Sequence, residues 1–190
     1  MHDTVAPRRT GELDEPELVR RLQRGDGAAF DEAYRRHHAR LHGFVARMHG
    51  RRDGVDDVLQ ETWLRLARHA ARLRPDTQLG AWLFTVARNL VLGRQRWRLL
   101  DAERLIGFAR MPAPDEPTPF DLSQASETER RLELALAALP VKYREVLLLI
   151  AIEGLTPQAA AAILELKPEA TRQRLARARA MMQTLLEDGR

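Results

Sequence analysis

Apolar residues recur along this chain at the three- and four-residue intervals of a helix, while the valine-, isoleucine- and threonine-rich alternation of a half-buried strand is missing. The pattern predicts an all-α fold. In VDDVLQETWLRLARH and the residues just after it, Val55, Leu59, Thr62, Trp63, Leu66, Ala70 and Leu73 share one side of a helical wheel. Asp57, Gln60, Glu61, Leu64 and Arg68 gather opposite, so the acids and one leucine should face outward. The stretch LGAWLFTVARNLVLGRQRWRLL predicts another helix, with Leu79, Leu83, Val86, Ala87, Leu90 and Trp97 toward a core. Thr85, Arg88, Leu92, Gln95, Arg96 and Leu99 fall on its other side and Asn89 at the edge; Trp82 suits a core or a stacking surface equally.

The helical pattern breaks at MPAPDEPTPFDLSQAS, where four prolines remove backbone donors and disfavour helix. This marks a flexible, acidic, proline-rich linker at 106–126 between a first helical domain at 16–105 and a second at 127–188, with a flexible tail at 1–15. Met111 through Glu129 contains no lysine or arginine, yet Asp115, Glu116, Asp121, Glu127 and Glu129 are acidic. Such a run serves solubility, or lies in a basic channel. In the second domain, Thr156 before Pro157 and Pro168 before Glu169 are helix starts, which gives helix-turn-helix spacing around Glu165–Lys167. The last helix should pack through Thr171, Leu175, Ala178, Met182 and Leu185. Gln173, Arg174 and Arg177 lie opposite or beside that stripe, flanked by Arg172 and Arg179.

Charge and chemistry narrow the functions. The formal net charge of +4 suits a polyanion partner or an ordinary soluble protein, so its distribution matters more than its size. The chain has no cysteine, which excludes disulfides, thiolate catalysis and cysteine-ligated metals. The N-terminal sequence lacks a signal-peptide core and no run approaches the roughly 18 apolar residues of a membrane span, so a cytoplasmic protein is expected. Asp57 and Glu61 are spaced to share a cation but supply too few ligands, and His38 and His42, with His37 and His49 nearby, lack the HExxH pattern. No metal, cofactor or enzymatic motif is expected. Leu64 ringed by Asp57, Gln60 and Glu61 reads as a docking patch for a basic partner. The arginines, amides and hydroxyls of the 79–100 helix and of the last helix suit phosphate and base contacts.

These residues resemble a bacterial RNA polymerase sigma factor of the extracytoplasmic-function group within the sigma-70 type. VDDVLQETWLRLARH resembles the family's polymerase-binding helix, AWLFTVARNL the helix that recognises and melts the minus-ten element, and LPVKYREVLLLIAIEGLT with RLARAR the domain that reads the minus-thirty-five element. The resemblance implies a transcription initiation factor rather than an enzyme, with core RNA polymerase, promoter DNA and an anti-sigma factor as partners. By position it assigns Asp57, Gln60 and Glu61 to polymerase, Trp82, Arg88 and Asn89 to the minus-ten element, and Arg174, Leu175, Arg177 and Arg179 to the end of the minus-thirty-five recognition helix. The outward faces read above add Leu64 to the first set, Gln95 and Arg96 to the second, and Arg172 and Gln173 to the third. The chain departs from the family at Gly54 and Gly93, where aspartate is common, at Glu165, where the bend usually has glycine, and at Glu169 and Ala170. A stand-alone helix-turn-helix repressor and a regulatory adaptor without productive promoter reading are the alternative readings.

Overall fold

The structure, a computed structural model, describes residues 13–49, 54–105 and 126–188. Among these, all regular structure is helical: α1 (Glu15–Gln23), α2 (Gly27–His49), α3 (Val55–His69) running into a 3-10 turn, α4 (Leu79–Leu105), α5 (Glu127–Ala138), α6 (Val141–Leu147) continued by a π turn at Leu148–Ile152, α7 (Pro157–Leu164) and α8 (Pro168–Asp188). The expected linker and N-terminal tail fall almost wholly on 106–125 and 1–12, outside the described residues.

Side-chain caps fix several helix starts. Asp14 accepts from the Glu17 amide at 2.8 Å with Pro16 in the first turn of α1, and the Glu15 carboxylate reaches across to accept from the Leu79 amide that opens α4. Ser126 and Glu129 form a reciprocal capping box at α5, so Glu129 belongs to a helix terminus as well as to the acidic run. In the first block α2, α3 and α4 pack against one another around Leu41, Phe44, Met48, Val58, Leu66, Leu83, Phe84 and Ala87. The α3 wheel holds, with Val55, Leu59, Thr62, Trp63 and Leu66 buried and Val58 joining them.

Helix α4 departs from its expected pattern because it has neighbours on several sides: α2 and α3 in its own block and α7 in the second. It therefore buries Phe84 and Val91 as well as Leu79, Leu83 and Ala87. Trp97, expected in the core, is 63% exposed. Arg94 and Gln95 make the contacts with the start of α3 and the end of α2, and Trp97 lies beyond both.

The second block contains the expected helix-turn-helix. Thr156 caps α7, accepting from the Ala159 amide, and Pro157 occupies the first turn. At the other end the Leu166 amide donates to the Ala161 carbonyl at 2.9 Å and the Glu165 amide to that of Ala162 at 3.3 Å, the paired closure of a Schellman turn. That closure needs a left-handed residue, and here it is Glu165, with φ of 56°. Gly54 has a comparable demand, with φ of 91°, and a Cβ there would meet the Arg94 guanidinium at 3.1 Å. A Cβ at Gly93 would meet nothing, so sterics do not explain that glycine. The alanines of α7 bring it close to α4, and α6 approaches α2, so one apolar core runs through both blocks.

Glu165 is exposed, and its left-handed backbone carries a steric penalty that glycine in the same turn would not. Glu165→Gly is therefore expected to stabilise the protein by about 0.5–1 kcal/mol, the steric relief exceeding the entropy of an extra glycine in the unfolded chain. A thermal or urea melt checks it, and an unchanged or lowered midpoint counts against a strained turn.

Candidate protein- and nucleic-acid-binding faces

The outward face of α3 carries exposed Asp56, Asp57 and Gln60, half-buried Glu61, and Leu64 at 41% exposure. Its acids are not bare. Glu61 accepts from Arg65 at 2.9 Å and lies 3.7 Å from Arg68; the Arg65 hydrogen bond foremost holds its carboxyl below the usual range. Asp57 meets Arg94 of α4 at 3.3 Å. The face is thus a mixed lattice of charge around one apolar residue, open to exchange because exposed ion pairs contribute little.

Beside Leu64 runs a groove of about 580 Å³ that the sequence pattern did not reveal, lined by Phe30, Tyr34 and His38 from α2 and by Leu59, Gln60 and Trp63 from α3. Tyr34 stacks on His38 at 4.3 Å and sits 4.9 Å from Trp63, whose ring meets Phe30 edge-on. The signal was present in the four-residue spacing of Phe30, Tyr34 and His38 along α2. His37 turns the other way, buried against Gly80 of α4, where desolvation pushes its pKa down. His38 and His42 lie 6.3 Å apart between ring centres, and no cluster of metal-ligating side chains occurs among the described residues.

Along α4 the candidate nucleic-acid residues separate into two sets. Asn89 and Arg96 are exposed, and exposed Trp97 joins them as a ring available for stacking. Gln95 instead donates to the Met48 carbonyl at 3.2 Å, and Trp82 is half-buried against the core. Arg88 is engaged elsewhere: its Nε donates at 2.8 Å to Glu145 of α6, while its Nη1 reaches Asn89 Oδ1 at 3.3 Å.

Helix α8 buries Thr171, Leu175 and Ala178, with Met182 and Leu185 partly covered, as its stripe predicts. Gln173, Arg177 and Arg179 are exposed, and Arg172 is exposed but ion-paired with Glu169 one turn back. Arg179 also lines a groove of about 490 Å³ with Leu132, Leu147, Met182 and Leu186, which turns it toward α5. Arg174 is drawn inward and donates to Glu145 at 3.0 Å. Arg88 and Arg174, assigned to different DNA elements, thus meet on one carboxylate whose side chain is 3% exposed. Sequence reasoning passed over Glu145; its signal was the charged pair Arg144–Glu145 at the head of the apolar run VLLLIAI.

Comparison with known proteins matches the same regions. Residues 33–98 match Sigma-70 region 2 and residues 129–182 match Sigma-70 region 4. The chain is 30% identical to the ECF RNA polymerase sigma factor SigM of Mycobacterium tuberculosis, over 92% of this chain and 86% of that protein. It is 32% identical to the ECF sigma factor SigE of Mycolicibacterium smegmatis over 85% of its own length and spans 64% of that relative. Among solved structures, the sigma factor RpoE in complex with the anti-sigma factor NepR from Bartonella quintana superposes with a TM-score of 0.65 at 26% identity, covering 79% of this chain and 91% of that one. Both family regions, in order, on an all-helical chain with SigM alignable along most of its length, lead to one conclusion: this protein belongs to the extracytoplasmic-function group of sigma-70 type RNA polymerase sigma factors.

Proposed function

We propose that this sigma factor divides promoter-directed initiation among three faces. The α3 face of Asp57, Gln60, Glu61 and Leu64 binds core RNA polymerase. The α4 face of Trp82, Arg88, Asn89, Gln95 and Arg96 captures the minus-ten element as it unpairs. Arg172, Gln173, Arg174, Arg177 and Arg179 of α8 hold the minus-thirty-five duplex. The corresponding domains are 16–105 and 127–188, joined by 106–126, which passes through the polymerase. The observation that carries this reading is the presence of both family regions on one chain, since a stand-alone helix-turn-helix repressor needs only the second. The protein performs no bond chemistry and acts in the cytoplasm; no described helix is long and apolar enough to cross a membrane. An anti-sigma factor is its regulatory partner, a reading supported by the similarity to RpoE solved with NepR. Transcription reconstituted with purified core polymerase tests the whole: promoter-specific transcripts are expected, and tight promoter binding without polymerase and without transcripts would favour a repressor.

Each face has its own expected outcome. Asp57→Lys with Glu61→Lys reverses the charge around Leu64 and should weaken core association on the order of tenfold, with the helical circular dichroism retained because both residues lie off the buried stripe. Unchanged core affinity in the folded double variant would reject this face.

Arg88→Ala with Asn89→Ala should leave core affinity close to that of the parent but reduce open complexes, because the guanidinium and amide are lost where a displaced strand would lie. Permanganate reactivity of promoter thymines reads this directly, and full reactivity in the variant holoenzyme excludes the role.

On α8, replacing Arg172 and Arg177 by alanine should lower promoter affinity and, for two lost phosphate contacts, shrink the slope of log affinity against log salt by roughly 1.8. Gln173→Ala should alter base preference at constant slope. An upstream footprint and salt slope indifferent to both changes would assign this helix to packing alone.

A further inference from the structure

Three ion pairs that join the two blocks among the described residues share a polarity. Arg40 of α2 donates to the Glu153 carboxylate at 2.9 Å and to its carbonyl at 2.7 Å, Arg47 of α2 donates twice to Glu133 of α5, and Arg88 of α4 donates to Glu145 of α6. In each pair the cation comes from the first block and the acid from the second. Glu145 goes further, because its other oxygen accepts from Arg174 of α8 within the second block. A single carboxylate therefore holds one arginine from each of two DNA-facing helices, and both guanidinium groups are turned from solvent into the seam.

We propose that Glu145 is an internal stand-in for a nucleic-acid phosphate: it clasps Arg88 and Arg174 together, so the free protein keeps both helices in a closed arrangement that must open before either arginine reaches DNA. The energetics suit a switch. Burying a carboxylate and two guanidinium groups costs nearly as much desolvation as their attraction returns, so the closed seam gains specificity more than depth. A DNA phosphate offers the same arginines an equivalent acceptor, and a polyanion offers many at once. Glu133 and Glu153 extend the acidic side of the seam and are released with it. The device rests on the reading of Arg88 and Arg174 as DNA contacts and adds that the chain masks them itself, without a bound inhibitor.

The absence of native cysteine makes a test on the full chain direct. Ala71→Cys and Ala180→Cys place spin labels at exposed positions, one in each block, for electron–electron distance measurement. At low salt without DNA, the parent should show one narrow distance population. Glu145→Gln, which keeps the shape and removes the charge, should lengthen and broaden it, and nonspecific duplex DNA should do the same to the parent. Duplex affinity without polymerase should rise about tenfold in Glu145→Gln, as expected if about nine tenths of the parent is closed and the variant is open. Glu133→Gln loosens the same seam from its rim and replaces the first variant if that one loses helical circular dichroism. A parent distribution as broad as the variant's, a narrow one that neither variant nor DNA shifts, or an opened seam with unchanged duplex affinity overturns the proposal. The underlying DNA reading fails separately, if in the opened Glu145→Gln background Arg174→Ala binds duplex, and Arg88→Ala binds single-stranded DNA, as well as that background does.

Discussion

The geometry of the second block depends on one buried guanidinium. Arg144 donates to the Leu136, Ala137 and Leu139 carbonyls at the end of α5 and to the Arg47 carbonyl at the end of α2. Terminal helix carbonyls have no partners of their own, and a cation is the group that best satisfies them. Burial pushes the pKa of Arg144 down, yet guanidinium starts so far above neutrality that it stays charged. With the α5–α6 corner held in this way, the next residue along α6, Glu145, faces α4 and α8. A local capping problem thus determines which side chain occupies the seam.

Several charges on the candidate binding faces are paired before any partner arrives. Glu61 sits on Arg65 and Arg68, Asp57 on Arg94, and Arg172 on Glu169. Exposed pairs of this kind are worth little and exchange easily, so a partner that replaces one member loses almost nothing by the exchange. The buried pairs along the seam are different, since removing one member strands the other in a poorly solvated place. Burial even prevails over pairing at Glu153, whose carboxyl is pushed up by desolvation despite the Arg40 guanidinium beside it.

What could be read in advance follows from how many sides of a helix are covered. Helices α3 and α8 each bury one stripe, so period alone separated the exposed Leu64 and Gln173 from the buried Leu66 and Leu175. Helix α4 is covered from several directions, and one wheel could not tell that Phe84 is buried while Trp97 is exposed. Pairings across long sequence separations were invisible for the same reason: nothing local to Arg88 announces Glu145, fifty-seven residues on. The aromatic groove was half visible, because α3 supplied Trp63 to the pattern while Tyr34 belongs to a helix whose face had not been traced. The turn at Glu165 was the opposite case, where the residue type argued against a left-handed bend and hydrogen bonding of the terminal carbonyls prevailed.

The π turn at Leu148–Ile152 makes chain length a variable of the seam. There the Glu153 amide reaches back five residues to the Leu148 carbonyl at 2.9 Å, one residue more than an α-helix would span. That extra residue sets the angle at which the chain leaves α6 and brings Glu153 opposite Arg40. Apolar exchanges within the turn preserve the count and hence the angle. Loss of one residue would swing the exit by about 100° and carry Glu153 away from α2. The segment should therefore tolerate drift in its letters far better than change in their number, a constraint that a substitution scan of the same positions would miss.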